Sequence, residues 1–256
     1  MKRAVVSLSG GMDSTCLLVK LLAEGYEEIK AIGFDYGQRH KFELEQAKMS
    51  VDYLKYRGHN IDFQIVDLSS LGGMLDSALT NTKEVPEGHY ENEEMKDTVV
   101  PNRNIVFSSI IYSIALSMSS KAGGKEVAIA MGMHAGDNAI YPDCRPESVE
   151  AAHHAFKISN WGSEKIVYKA PYLKMNKAGI LKDCLNECKF LGLHFDTILK
   201  YTSTTYAPTP EGLSYGKTSS DIERIEAFIE IGRKDPIDYV GGWENAVKHA
   251  KSVLGK

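Results

Sequence analysis

The chain is poor in cysteine. Four occur in 256 residues, Cys16, Cys144, Cys184 and Cys188, and no two form a C-x-x-C pair. That excludes the disulfide framework of a small secreted domain and metal or redox sites built on that spacing. Cys184 and Cys188 lie one helical turn apart with His194 nearby. They read as two small core-facing residues, with a metal site as the alternative. Positive charge is also not in excess: 30 Lys and Arg stand against 34 Asp and Glu, for a net charge of -4. Without a basic cluster, direct nucleic-acid binding is not expected. No apolar stretch approaches the length of a membrane span. The opening "MKRAVVSLSGG" has two basic residues and an apolar run, but the run is too short for a signal peptide and ends in a glycine turn. A cytoplasmic protein with no membrane partner is the expectation. No internal repeat and no second domain are evident. The chain reads as one domain over residues 1–256, with a C-terminal extension from about residue 202.

Short apolar runs alternate with helical patterns. "RAVVSLS", "EIKAIGFDY", "IDFQIVDL", "EVAIAMGM" and "KIVYKAPY" read as five strands. "DSTCLLVKLLAEG", the stretch from about His40 to Tyr56, and "RNIVFSSIIYSIALSMSSKAGG" read as helices between them. Strands apolar on both faces and separated by helices predict an α/β fold with a parallel sheet covered on both sides. Ligands of such sheets bind beyond the carboxyl ends of the strands. Two segments break the rhythm. Residues 72–101 are polar, acidic and turn-rich, which marks a functional or mobile connection. Residues 202–216 are irregular and rich in Thr, Ser, Pro and Gly. A helix resumes at "SSDIERIEAFIEIGRK", with Ser219 or Ser220 expected as its N-cap.

The chemistry is densest in "SLSGGMDSTCLL", Ser7 to Leu18. A strand runs through Ser9-Gly10-Gly11-Met12-Asp13-Ser14 into a helix. The glycines let backbone N–H groups converge, and the helix start adds partial positive charge. Ser9 and Ser14 can donate from their hydroxyls, and Asp13 can hold a magnesium ion. The Gly-Lys-Ser/Thr ending of a γ-phosphate loop is missing, which argues against ordinary γ-phosphate hydrolysis. The full string S-G-G-x-D-S resembles the loop of the ATP pyrophosphatase superfamily, whose members cleave ATP between the α and β phosphates. That resemblance implies a Rossmann-like fold of the adenine nucleotide alpha hydrolase type, with a five-stranded parallel sheet and a C-terminal helical tail.

Three more strings narrow the resemblance: "FDYGQRHKFELEQA", "VPNRNIVF" and "YPDCRPESVEA". With the glycine loop they resemble the 7-cyano-7-deazaguanine synthase family of queuosine-precursor biosynthesis, from Ala4 to about Asp238. The resemblance implies an ATP site at Ser7, Leu8, Ser9, Gly10, Gly11, Met12, Asp13 and Ser14. It adds Phe34, Tyr36, Gln38, Arg39 and His40. It also implies catalytic roles for Asp13, Lys177 and Arg103, and magnesium held with ATP at Asp13. A carboxylated deazaguanine would then meet Arg103, Asn104, His134, Asp137, Tyr141, Asp143 and Arg145. The residues agree with that reading. Asp143 can accept from an exocyclic amine and ring N–H groups, Arg145 can meet a carboxylate, and Tyr141 offers a stacking face.

The sequence departs from the family in three places. Asn102 stands where the family usually has glycine, and His134 where it commonly has asparagine. The four family zinc cysteines correspond here to Thr205, Tyr215, Thr218 and Asp221, so the zinc site is expected to be absent. The resemblance implies ATP-driven activation of the carboxylate of 7-carboxy-7-deazaguanine, with ammonia giving an amide and then a nitrile. An alternative keeps the activation and gives the deazaguanine to a protein amine, as in antiphage defence systems related to the family. A third reading is a non-catalytic nucleotide-binding subunit. A homodimer is the assembly the family implies.

Overall fold

The computed structural model describes residues 1–38, 41–80 and 93–255. Its elements run β1 (Lys2–Ser7), α1 (Met12–Ala23), β2 (Tyr26–Asp35), α2 (Phe42–Tyr56), β3 (Ile61–Asp67) and α3 (Ser69–Gly72). They continue with α4 (Arg103–Lys121), β4 (Val127–Ala130), α5 (Pro146–Ile158), β5 (Ile166–Lys169) and α6 (Lys177–Leu191). Last come α7 (Phe195–Lys200), α8 (Ser219–Glu230) and α9 (Trp243–Val253). The five strands form one parallel sheet in the order β3-β2-β1-β4-β5. The chain moves outward from β1 to β3, then returns to place β4 on the other side of β1. A crevice therefore opens at the carboxyl ends of β1 and β4, where a doubly wound sheet binds its ligand.

Side chains on β1 alternate between two apolar layers. Ala4 and Val6 face α1, α6 and α7 through Leu17, Leu18, Ile180, Leu181 and Ile198, while Val5 faces Phe107, Ile111 and Tyr112 of α4. A smaller core joins α8 to α9 through Ile222, Ile225, Tyr239, Ala246 and Ala250. Cys16, Cys184 and Cys188 are all buried in the first layer, as small apolar residues there should be.

Three expectations need correction. The edge strand β3 is not covered on both faces, and Ile65 is half exposed on it. Helix α8 is capped by Thr218, not by Ser219 or Ser220: its hydroxyl accepts from the Asp221 N–H and the Asp221 carboxylate returns to the Thr218 N–H. Met95–Lys121 is long and apolar enough to span a membrane by length and composition, contrary to the expectation of no such stretch. Its Phe107, Ile111, Tyr112, Ala115 and Met118 are spent on the sheet instead.

Candidate active site

The glycine loop leaves β1 at Ser7 and enters α1 at Met12. Gly10 has φ +85°, and a Cβ there would lie 1.9 Å from the Glu43 carbonyl oxygen, so α2 packs where a side chain would have to be. Gly11 caps α1 with no side-chain hydrogen bond, which leaves the helix-start N–H groups directed at the crevice. The Ser9 and Ser14 hydroxyls lie 3.0 Å apart, and each holds the loop: Gly11 N–H donates to Ser9 Oγ, and Ser14 Oγ donates to the Gly11 carbonyl. Leu8 and Met12 are fully buried, so only their backbones are available to a ligand. From the far side the Ser203 N–H donates to the Gly10 carbonyl at 2.9 Å. Gly132, just past β4, lets that strand approach α1: a Cβ would be 3.2 Å from Ser14.

Beside the loop sits a compact charged group drawn from four elements. Lys177 opens α6, is buried, and reaches Glu223 of α8 at 2.6 Å and Asp13 at 4.0 Å. Burial works against the ammonium, but Glu223 and then Asp13 outweigh it and hold Lys177 above its usual value. Burial would likewise raise Glu223, yet Lys177 and His134 hold it below the ordinary carboxylate value. His134 Nε2 lies 3.8 Å from Asp13 and 3.6 Å from Asp137. Its Nδ1 accepts from the Gly136 N–H, while Asp137 accepts from the His134 N–H. The imidazole is thus the cap here, an acceptor role that an asparagine amide could equally fill. Burial lifts the Asp137 carboxyl, with His134 and Lys177 pulling it back. The Asp13 Oδ1 atom is buried and has no hydrogen-bond partner among the described residues.

The other wall belongs to α4. Asn102 has φ +59°, the left-handed conformation that glycine adopts freely and asparagine tolerates, so the turn into Arg103 keeps the geometry a glycine would give. Arg103 Nη1 donates to Tyr36 OH at 3.2 Å, and its guanidinium stands 5.5 Å from the Tyr36 ring and 5.9 Å from the Tyr141 ring. Among the described residues no carboxylate lies within ion-pair distance of it. Between Arg103 and the glycine loop is a cavity of about 190 Å³, lined also by Phe34, Phe107, Tyr141 and Tyr206. Glu43 lines it too. Burial pushes this carboxyl up to about 7, against the opposing pull of Arg103 and the hydrogen bond from Gln38. Burial also pushes the Tyr36 phenol up to about 12, Arg103 opposing.

The structure brings together Ser7, Ser9, Gly11, Asp13, Ser14, Phe34, Tyr36, Arg103, Asn104, Asp137 and Tyr141 around one cavity. Lys177 and His134 back it through Asp13. Gln38 is a buried brace, accepting from Tyr36 N–H and donating to Glu43 and the Phe34 carbonyl. Asp143 and Arg145 do not line the cavity. Both oxygens of Asp143 are taken by the backbone and side chain of Asn104, where they cap the start of α4. Arg145 is exposed and donates to the Asn138 carbonyl. Arg39 and His40 lie outside the described residues. The sequence reading missed Glu43, Cys144, Tyr206 and Glu223. Glu43 lies within "FDYGQRHKFELEQA" and Glu223 within "SSDIERIEAFIEIGRK". Of the polar segment 72–101, Thr98 comes to the site, its hydroxyl 2.9 Å from Tyr141 OH.

Comparison with known proteins bears on this arrangement. The family model described as "Queuosine biosynthesis protein QueC" matches residues 3–232. A relative named 7-cyano-7-deazaguanine synthase from Methanoregula boonei is 43% identical over 238 residues, covering 93% of this chain and 99% of its own. One of the same name from Caldicellulosiruptor saccharolyticus is 42% identical, covering 93% of this chain and 95% of its own. The solved NMN synthetase of Francisella tularensis aligns over 99% of this chain and 84% of its own at 12% identity and a TM-score of 0.43, a likeness too loose to add to the topology above.

Proposed function

The chain belongs to the queuosine biosynthesis protein QueC family, and on that premise we propose that it is an ATP-dependent carbon–nitrogen ligase acting on 7-carboxy-7-deazaguanine. One observation carries the reading: a phosphate-type loop and an arginine without a carboxylate partner among the described residues face each other across one aromatic-lined cavity. The loop suits the phosphates of ATP, and Arg103 suits the carboxylate to be activated. The flat faces of Tyr36, Tyr141 and Tyr206 suit a purine-like ring.

Each residue then has a task. The backbone N–H groups after Gly10 and the hydroxyls of Ser9 and Ser14 receive the β and γ phosphates. Lys177, fixed by Glu223, holds positive charge beside Asp13 where the pyrophosphate departs. Arg103 orients one carboxylate oxygen towards the α phosphate, so the acid attacks in line and the acyl-adenylate forms with loss of pyrophosphate. Ammonia then displaces AMP, and a second ATP drives loss of the amide oxygen to give the nitrile. Asp13 fits a magnesium ion carried in with ATP, because its Oδ1 is buried without a donor among the described residues and such ions need only one or two protein carboxylates besides phosphate. Bound there, magnesium would neutralise charge on the phosphates. A homodimer is the assembly to expect, and light scattering that returns a monomer at assay concentration rejects it.

The test is product analysis by mass spectrometry with 7-carboxy-7-deazaguanine, ATP, magnesium and ammonium. AMP, pyrophosphate and the nitrile are expected. ADP with phosphate, or no nucleotide turnover, rejects the reading.

A further inference from the structure

The C-terminal segment holds a buried carboxylate whose partners come from three separate stretches of chain. Asp221, in the first turn of α8, accepts at Oδ2 from Thr205 Oγ1 (3.1 Å), Thr218 Oγ1 (2.6 Å) and Thr218 N (3.1 Å). At Oδ1 it accepts from Ser214 Oγ (2.8 Å). Each hydroxyl is used a second time, accepting from the backbone: Thr205 from Ala207, Ser214 from Gly216 and Thr218 from Asp221 itself. Three of these residues, Thr205, Thr218 and Asp221, stand at positions where the family resemblance places zinc cysteines. The fourth, Tyr215, is half exposed, and its neighbour Ser214 takes the inward place. This donor set does not fit zinc. It offers neutral hydroxyls and one carboxylate whose oxygens are already occupied, and no thiolate or imidazole. Among the described residues no group of three or more His, Cys, Asp or Glu side chains is arranged to hold a metal.

What the node connects is more telling than what it lacks. Residues 202–205 are stitched to two elements, three of them to α8 and Ser203 to the glycine loop. Arg224 of α8 donates to the hydroxyls of Thr202 and Thr204, Ser203 donates to the Gly10 carbonyl, and Thr205 donates to Asp221. The next residue, Tyr206, lines the cavity. Two residues beyond Asp221 on α8 is Glu223, the partner of Lys177.

We propose that Asp221 is a positioning residue, whose carboxylate locks the Tyr206 wall of the cavity to the start of α8 and so sets the heterocycle pocket against the Lys177–Glu223 pair without a metal. The kinetic part rests on the reading under Proposed function; the metal and stability parts do not. The full-length chain is compared with Asp221→Asn, Thr218→Val and Thr218→Ser by AMP release, zinc content and thermal unfolding, all kinetics below each variant's melting temperature. The unsubstituted chain is expected to carry no stoichiometric zinc and to keep its melting temperature with a zinc-selective chelator. Asp221→Asn and Thr218→Val should raise KM for the deazaguanine about tenfold, with a smaller change in KM for ATP, as a misplaced pocket wall would. Thr218→Ser, which keeps the donor, should stay near the parent. Stoichiometric zinc, or melting lowered in Asp221→Asn with both KM values unchanged, overturns the proposal. If the parent releases no AMP with this substrate, the functional reading fails by itself. The proposal is then judged by zinc content and by whether Thr218→Ser, but not Thr218→Val, retains the parent's melting temperature.

Discussion

The glycine loop and the segment from Thr202 to Asp221 touch each other, yet they are built on opposite principles. At the loop the backbone does the work, and the neighbours admit almost no alternative residue: Gly10 combines a positive φ with a carbonyl 1.9 Å from where a Cβ would be. In the later segment the work is done by side-chain oxygens around Asp221 and by the buried pair of Arg224 and Asp235. Hydroxyls and carboxylates can be rearranged in many ways that satisfy the same donors and acceptors. The first kind of construction leaves a readable string, and the second leaves none, because many residue choices satisfy it.

The largest effect should come from forcing a side chain into the loop. Gly10→Ala must displace the start of α2 and hold alanine in a left-handed conformation, at a cost of at least about 3 kcal/mol. Release of AMP should fall by a factor of about 100 or more, since the loop donors no longer meet the phosphates. A Gly10→Ala chain that melts and turns over like the parent would break the contrast, for the loop would then be as permissive as its neighbour.

Next comes the strongest joint of the other region. Arg224 is fully buried, with Asp235 on two of its nitrogens and Thr202 and Thr204 on a third. Asp235→Ala leaves that guanidinium without its counter-charge and should destabilise the fold by about 3–5 kcal/mol in a denaturant titration. Replacing both partners by apolar residues should recover much of the loss, which no double substitution at the glycine loop can do. A double variant no better than the single one would show that this region, too, depends on particular residues.

The same contrast explains what could be read in advance. The sheet was legible because β1, β2 and β4 carry the apolar runs at residues 4–6, 31–34 and 127–130, and the loop because its glycines are dictated by backbone geometry. The exposed face of β3 was not, since an edge strand can carry the same apolar residues without a second cover. Glu223 gave no local sign of its role: it becomes part of the site only because α8 packs against the start of α6. Asp143 shows the same limit, because a carboxylate beside a pocket and one capping a helix look identical in a string. The cap of α8 was within reach, as Thr218-Ser219-Ser220-Asp221 has the spacing of a capping box.

A smaller effect probes the boundary between the regions, where Glu43 packs its carbonyl against Gly10 and lines the cavity. Its carboxyl is raised from 4.5 to about 7. Between those values the folded chain keeps a proton that the unfolded chain has released, so Glu43 favours the fold below about pH 4.5 and loses that contribution as pH rises through 7. Glu43→Gln does not titrate. Its melting temperature relative to the parent should therefore improve from pH 5 to pH 8. A difference that stays flat across that range would mean the carboxyl is already ionised in the fold.

The smallest effect isolates the conformational half of the Gly10 argument. Asn102 also has a positive φ, but it is exposed and makes no side-chain cap bond. Only the left-handed backbone then matters there, without any crowding. Asn102→Gly should stay within about 0.5 kcal/mol of the parent, because glycine gains conformational ease and loses chain entropy in similar measure. Asn102→Ala should cost about 1–2 kcal/mol, the penalty for an ordinary side chain in that region. Because the turn delivers Arg103 to the cavity, the alanine variant should also show a modest rise in KM for the deazaguanine. If Asn102→Ala were as damaging as Gly10→Ala, conformation alone would account for both sites, and the close approach of Glu43 would lose its part in making the loop unique.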